Sequence, residues 1–271
     1  MEDSGSRERA KPMLKTRILS AMIGIPVILG LLYAGGVYWK ALFIILALVA
    51  LLEYLQMMRR AHQNPLVIPA ILIMLILLFA DALATRLPGA ALLGLLAVIA
   101  LFVLRYPLYT WSDVSLSLLG AAYIGFLMSF ALRLAAFPGA FAIVMLCLLI
   151  TWGSDIGGYV FGRVWGKHKL TPLLSPNKTW EGALGALLLA AVLAWAWSQL
   201  VQLPLSPSKV VLLAIAGSIC AQLGDLFESG MKRFWGAKDS GRIIPGHGGV
   251  LDRFDSFLLV LPLVYLVVSS I

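Results

Sequence analysis

Charged residues are scarce in this sequence. They make up 13% of its 271 residues, whereas hydrophobic residues make up 61%, and soluble domains usually carry about 25% charged residues. Apolar runs of about 20 residues recur along the whole length, and such runs cross a membrane as helices because a helix satisfies its own backbone groups. The strict alternation typical of a membrane β-barrel is missing. The sequence therefore predicts an all-α fold, a polytopic bundle of membrane-spanning helices.

Cysteine and histidine are also rare, with two and three residues. Cys147 and Cys220 both fall inside apolar runs without the spacing of metal ligands, and we interpret them as core residues. The long polar stretch near the end of the chain holds one histidine, His247, and no cysteine, which disfavours a zinc site there. The sequence shows no repeat, no low-complexity tract and no linker long enough to separate domains. A nucleic-acid partner is not expected, because the sequence offers no soluble basic domain to bind it.

Breaks at glycine, proline and charge clusters predict about nine spans. The spans cover residues 18–34, 37–57, 66–85, 88–104, 114–133, 139–161, 180–201, 209–230 and 254–271. The first is expected to be a retained helix, because no A-x-A-like cleavage site follows its basic leader. We divide the chain into hydrophobic helices over 1–137 and a catalytic membrane region with polar loops over 138–271.

The basic residues indicate the orientation. With nine spans the termini face opposite sides, and 17 of the 21 Lys and Arg residues fall on the side of the N-terminus. The positive-inside rule makes that side cytoplasmic, together with the two long polar loops. The net charge of +8 follows from this topology and favours anionic membrane lipids as partners. The acids of the first half, Glu53, Asp81 and Asp113, are interpreted as interfacial or helix-capping residues.

The sixth span and the segment after it carry the first candidate site residues. Asp155 lies among Gly153, Gly157 and Gly158, and an acid at membrane depth marks a functional site or else pairs with a base where helices pack through small residues. The segment Leu174 to Gly185, LSPNKTWEGALG, precedes the next span. Its Ser175 or Asn177 is expected to cap that helix. With Lys178, Thr179 and Glu181 beside it, the helix start is a natural site for an anion.

The most polar segment runs from the end of the eighth span to the start of the ninth. Asp225, Glu228 and Ser229 share one helical face by their spacing, and Asp252 and Asp255 are three residues apart. Between them lies a glycine-containing basic loop with Lys232, Arg233, Lys238, Arg242 and His247. Carboxylates facing bases and flexible glycines suit a polyphosphate with a hard divalent cation such as Mg²⁺.

These motifs resemble the phosphatidate cytidylyltransferases, also called CDP-diacylglycerol synthases. The resemblance rests on Ser229-Gly-Met-Lys-Arg, Lys238-Asp239, Pro245-Gly-His-Gly-Gly and Asp252-Arg-Phe-Asp255, with Ser175-Pro-Asn-Lys-Thr-Trp-Glu-Gly and Gly224-Asp225 upstream. It implies a Mg²⁺-dependent nucleotidyltransferase of a bacterial inner membrane, with K⁺ as a second ion in some members. The implied substrates are CTP and phosphatidic acid, the reaction is the first committed step of phospholipid synthesis, and a homodimer is expected.

Roles follow from the resemblance residue by residue. Asp225 and Asp252 match the metal-holding acids, and Asp255 is a further candidate ligand. The candidate catalytic residues are Asp225, Asp252, Lys238 and His247. The candidate substrate-binding residues are Asp155, Ser175, Lys178, Thr179, Glu181, Lys232, Arg233, Asp239, Arg242 and Arg253. His247 is expected either to contact a phosphate or transfer a proton, or to organise the backbone of its turn.

Three alternatives stay open. A CDP-alcohol phosphotransferase also uses acids and Mg²⁺ at a membrane surface, but its pattern of aspartates is not found. A transporter with Asp155 in an ion site predicts internal duplication of the two halves, which is not visible. A relative that acts on a different lipid phosphate is compatible with every motif.

Overall fold

The computed structural model describes residues 4–246 and 248–270, and side chains from residue 19 onward. The described chain forms ten α-helices, which are α1 Ser4–Ala34, α2 Gly36–Arg60, α3 Val67–Leu78, α4 Ala80–Leu83, α5 Leu87–Leu104, α6 Trp111–Leu134, α7 Ala140–Trp165, α8 Trp180–Leu200, α9 Pro207–Phe234 and α10 Leu251–Ser269. A 3-10 turn over Ala84–Arg86 joins α4 to α5.

The helical fold is as predicted, with one addition between α7 and α8. Strands β1 (Lys169–Thr171) and β2 (Ser175–Thr179) pair antiparallel, with Lys169 opposite Thr179 and Thr171 opposite Ser175. The polar residues of this segment suggested only a loop and a helix cap. The hairpin instead gives the segment a fixed backbone in front of α8.

Within the described residues, six helical segments are long and apolar enough to cross a membrane. They are α2, α6, α7, α8, α9 and the stretch Ala80–Leu104, and shorter apolar helices cover Leu19–Ala34 and α3. Each of the nine predicted spans overlaps a helix, but the count of nine is not confirmed by this measure. The chain is an integral membrane protein in which the first turns of α10 carry Asp252, Arg253 and Asp255.

One hydrophobic core connects the two halves of the chain. It extends from Leu32 to Val268. The indole N–H of Trp39 in α2 donates to a backbone carbonyl of α6 at 2.9 Å, and Phe43 stacks on Phe257 of α10 with ring centroids 6.4 Å apart. The catalytic region predicted for 138–271 therefore packs directly on α2.

Small residues set the helix spacing around the candidate site. A Cβ atom at Gly153 of α7 would lie 2.8 Å from the Cα atom of Ala190 in α8. A Cβ atom at Gly224 of α9 would lie 2.5 Å from the carbonyl oxygen of Asp255 in α10. Because a side chain at either position would push the backbones apart, these glycines allow α7, α9 and α10 to bring their acids close together.

The acids of the first half have three different roles. Asp113 forms a capping box with Thr110 at the start of α6, as predicted. Asp81 is exposed and pairs with Arg133 at 2.9 Å. Glu53 is 2% exposed, and its carboxylate contacts the backbone of the loop before α10. The interpretation of Glu53 as an interfacial acid does not fit this burial, and the helix whose start it contacts is α10 and not its own.

Candidate active site

A cleft of about 430 Å³ lies where α7, β2, α8, α9 and α10 meet. Nine of the predicted site residues line it, namely Asp155, Lys178, Thr179, Asp225, Lys232, Asp239, Asp252, Arg253 and Asp255. The acids come from three separate helices and from the loop before α10. The sequence motifs thus converge on one site, as the spacing of their acids and bases suggested.

Other predicted residues lie apart from this lining. Among the residues that the structure describes, Ser175, Glu181, Arg233, Lys238 and Arg242 are not part of it. Arg233, Lys238 and Arg242 are exposed, so the role predicted for them in phosphate binding stays a prediction. His247 lies outside the described residues, and neither of its two predicted roles is tested.

An ion pair crosses the cleft between β2 and α9. The ammonium group of Lys178 lies 2.7 Å from the Oδ2 atom of Asp225. The hydroxyl of Ser229, one turn along α9, lies 3.4 Å from the other carboxylate oxygen. The predicted common face of Asp225 and Ser229 is therefore present, and Lys178 neutralises the acid that the resemblance assigns to metal binding.

Asp252 is held by a dense set of donors. Its Oδ1 atom accepts hydrogen bonds from the Lys232 ammonium at 2.8 Å and the Ser240 amide at 3.2 Å. Its Oδ2 atom accepts from the Ser240 hydroxyl at 2.9 Å and the Gly249 amide at 2.8 Å. Burial opposes ionisation of this carboxyl, but the hydrogen bonds from Lys232 and Gly249 outweigh it and hold the pKa of Asp252 below its usual range.

Lys232 lies between two carboxylates. Besides Asp252, its ammonium group pairs with Glu228, which precedes it by one helical turn and is fully buried. A buried carboxylate is stable only with a partner of opposite charge. In this structure Lys232 therefore contacts protein carboxylates, and its predicted contact with a substrate phosphate stays a prediction.

The remaining acids form a group of like charges. Asp155 experiences the negative charge of Asp225, and Asp255 experiences the charges of both. No set of three or more His, Cys, Asp or Glu residues in the described part of the chain is already arranged to hold a metal ion. The donor chemistry nevertheless fits Mg²⁺, because carboxylate oxygens are its preferred protein ligands and a cation relieves their repulsion.

The start of α8 is capped by Thr179. Its hydroxyl accepts a hydrogen bond from the Gly182 amide at 3.1 Å, so the expectation that Ser175 or Asn177 caps this helix is wrong. The two residues belong to β2, whose pairing with β1 moves the helix start beyond them. Glu181 accepts from the ring of His168 at 2.6 Å and from the Lys167 amide. Glu181 thereby ties the segment before the hairpin to α8.

The cap supports a stability prediction. Thr179→Ala removes the acceptor for the Gly182 amide and is expected to lower the free energy of unfolding by about 1 kcal/mol, because an amide of the first turn loses its partner. Thr179→Ser keeps the hydroxyl and is the matched control. Thermal unfolding in detergent is the measurement, and an alanine variant that melts together with the wild type would contradict the capping role.

Two residues, Glu228 and Glu53, were not identified from the sequence as members of the candidate site. Glu228 could have been found, since its spacing of four residues from Lys232 places both on one helical face. Glu53 gives no such signal, because the Ser240 hydroxyl that it contacts lies 187 residues further along the chain.

The comparisons with known proteins agree with the motifs. A model of the cytidylyltransferase family matches residues 15–271. A phosphatidate cytidylyltransferase of Staphylococcus epidermidis is 40% identical over 92% of this chain and 97% of its own. Proteins of the same name from Staphylococcus saprophyticus and Staphylococcus aureus are 37% and 38% identical, over 95% and 92% of this chain and 100% and 97% of their own. The chain belongs to the cytidylyltransferase family.

Proposed function

We propose that this protein is a phosphatidate cytidylyltransferase, which converts CTP and phosphatidic acid to CDP-diacylglycerol and pyrophosphate. The observation that carries the proposal is the cleft in which acids of α7, α9 and α10 face Lys178 and Lys232. The name of the staphylococcal relatives supports the same reaction. A reaction between two polyanionic substrates needs cations at one place, and this cleft supplies both bases and cation-binding acids.

The proposed metal is Mg²⁺. Asp225 and Asp252 would hold it, as the resemblance implies, with Asp255 as a further ligand. Bound there, Mg²⁺ supplies positive charge to the phosphate oxygens of the substrates. K⁺ as a second ion rests on the family resemblance alone.

The residues of the chain position and neutralise the substrates. An oxygen of the lipid phosphate forms a bond to the α-phosphorus of CTP, and the bond from that phosphorus to the bridging oxygen of pyrophosphate breaks. The nucleophile is already an anion near neutral pH, so no strong base is required. Lys178 is proposed to leave Asp225 for a phosphate oxygen when the substrates bind, and catalysis then depends mainly on positioning.

The proposed orientation follows the distribution of basic residues. The N-terminus and the cleft face the cytoplasm, where CTP is present, and the C-terminus faces the opposite side of a bacterial inner membrane. The lipid phosphate then lies at the headgroup plane beside the cleft. A homodimer is proposed from the family resemblance.

The test is conversion of labelled CTP to a CDP-lipid by the purified protein in detergent. We expect product with phosphatidic acid and Mg²⁺, none after chelation of Mg²⁺, and none with diacylglycerol, which lacks the phosphate nucleophile. Parallel assays with lipid phosphates that have other tails test the nearest alternative, which is a relative that acts on a different lipid phosphate. A folded protein that makes no CDP-lipid from any lipid phosphate would refute the proposal.

A further inference from the structure

Glu53 is a buried acid far from the sequence motifs. It lies in α2, and its residue is 2% exposed. Removing a carboxylate from water costs several kcal/mol unless donors satisfy it, and acids within membrane helices mark functional positions more often than packing positions. Its partners therefore indicate what the residue does.

The partners of Glu53 belong to the loop between α9 and α10. The Oε2 atom accepts a hydrogen bond from the Leu251 amide at 2.9 Å and one from the Ser240 hydroxyl at 3.3 Å. Leu251 is the first residue of α10, and the side chain of the preceding Val250 does not cap that helix. Amides of a first turn lack helical partners, and a negative charge beside them is stabilising. Glu53 supplies this cap from a different helix.

The loop closes tightly around the Glu53 carboxylate. A Cβ atom at Gly241 or at Gly249 would collide with it, so only glycine allows the backbone to approach this closely at either position. The Gly249 amide donates to the Oδ2 atom of Asp252 at 2.8 Å. The same short backbone segment therefore lies between the carboxylate of Glu53 and the carboxylate of Asp252.

Ser240 joins the two acids. Its hydroxyl lies 3.3 Å from Glu53 and 2.9 Å from Asp252, and it has a single proton to donate. Its amide donates to Asp252 as well. A shift of Glu53 therefore reaches Asp252 through the Ser240 hydroxyl, through the Gly249 backbone and through the start of α10 at Leu251.

We propose that Glu53 is a positioning residue of the active site. Its carboxylate fixes residues 240–246 and 248–251 against α2, and this fixed loop holds Asp252 and its partner Lys232 at the wall of the cleft. The expected effect on catalysis rests on the proposed function, whereas the fixation of the loop by Glu53 does not depend on it. Glu53 itself contacts neither substrate, since it acts through the loop.

The first arm of the test is kinetic. Glu53→Ala is expected to lower kcat by about 100-fold with a much smaller change in KM for CTP, because misplacement of a catalytic group by about 1 Å costs a factor of this size. Glu53→Gln keeps an acceptor oxygen for both donors and is expected to retain kcat within about fivefold, since neutral hydrogen bonds keep the same geometry at roughly half the strength. Gln56→Ala, exposed on the same helix, is the matched control.

The second arm measures hydrogen exchange of the backbone amides in residues 240–251. Glu53→Ala is expected to speed this exchange, and Glu53→Gln and Gln56→Ala are expected to leave it close to the wild-type rate. If the alanine variant does not fold, Glu53→Asp replaces it, and its shorter side chain is expected to give the same changes to a smaller extent.

The outcomes separate the two proposals. Unchanged exchange in Glu53→Ala, or an unchanged kcat, overturns the positioning role. Equal losses of kcat in the alanine and glutamine variants, with exchange at the wild-type rate in the glutamine variant, also overturn it, because kcat would then not depend on the fixation of the loop. A wild-type protein without CDP-lipid synthesis refutes the proposed function, and the exchange arm still decides whether Glu53 holds the loop.

Discussion

Asp225→Asn is expected to lower CDP-lipid synthesis by about 100-fold to 1,000-fold, the usual effect of removing one preorganised electrostatic group at a reacting centre. The Asp225 carboxylate pairs with Lys178 across the cleft at 2.7 Å, and its charge reaches Asp155 and Asp255. Asparagine has the same shape but no charge. It leaves Lys178 without its counter-ion and weakens the attraction of the acidic group for a cation. The measurement is kcat at saturating Mg²⁺, CTP and lipid.

Asp81→Asn is the matched control for this change. Asp81 lies on another helix, is 65% exposed and pairs with Arg133, so the same loss of charge there is expected to leave kcat unchanged. Both variants are expected to insert and to keep their helical circular dichroism. A fully active Asp225→Asn enzyme would refute the assignment of Asp225 to cation binding, whatever the effect of the control.

The fold was predictable where one local property determines it. Long apolar runs must form helices in a membrane, so each predicted span overlaps a helix of the structure. The hairpin of β1 and β2 was not predicted, since strands of three and five residues offer too few positions for an alternating pattern. The predicted cap of α8 was wrong because this hairpin was not foreseen. The pairing of Ser175 with Thr171 keeps that part of the segment out of the helix.

The candidate site was predictable where its residues lie close together in sequence. The acids and bases from Asp225 to Asp255 form motifs that can be recognised one after another, and the cleft contains several of them. The contact of Glu53 with Leu251 spans 198 positions, so it depends on the packing of α2 against α10 and leaves no trace in local spacing. The pairing of Lys178 with Asp225 and of Lys232 with Asp252 was equally unpredictable, and Lys232 was assigned to a phosphate from the sequence.

Lys232 is a structural cation in this molecule as well as a candidate ligand. Its side chain is 17% exposed, whereas those of Glu228 and Asp252 are 0% and 6% exposed. Two buried carboxylates beside one another repel strongly in a medium of low polarity. The ammonium group between them makes that arrangement stable, and it fixes Asp252 from the side of α9 while the loop fixes it from the other side.

Lys232→Met is therefore expected to lower both stability and activity. The unfolding free energy should fall by about 3 kcal/mol, because removing one partner of a buried ion pair leaves the opposite charge uncompensated. CDP-lipid synthesis should fall by about 100-fold or more, since Asp252 loses a donor that holds it in place. Thermal unfolding in detergent and kcat are the measurements. Lys209→Met, an exposed lysine of the same helix, is the matched control and is expected to change neither.

A second substitution separates the two effects. In Lys232→Met/Glu228→Gln the fully buried acid is neutral as well, so most of the lost stability should return, because a neutral pair needs no counter-charge. Activity should stay low, since neither change restores the donor to Asp252.

A double variant that regains wild-type kcat would mean that Lys232 only compensates the charge of Glu228. A single variant as stable as the wild type would mean that Glu228 is protonated and needs no cation. The two measurements together therefore determine whether Lys232 acts on Asp252, on Glu228 or on both.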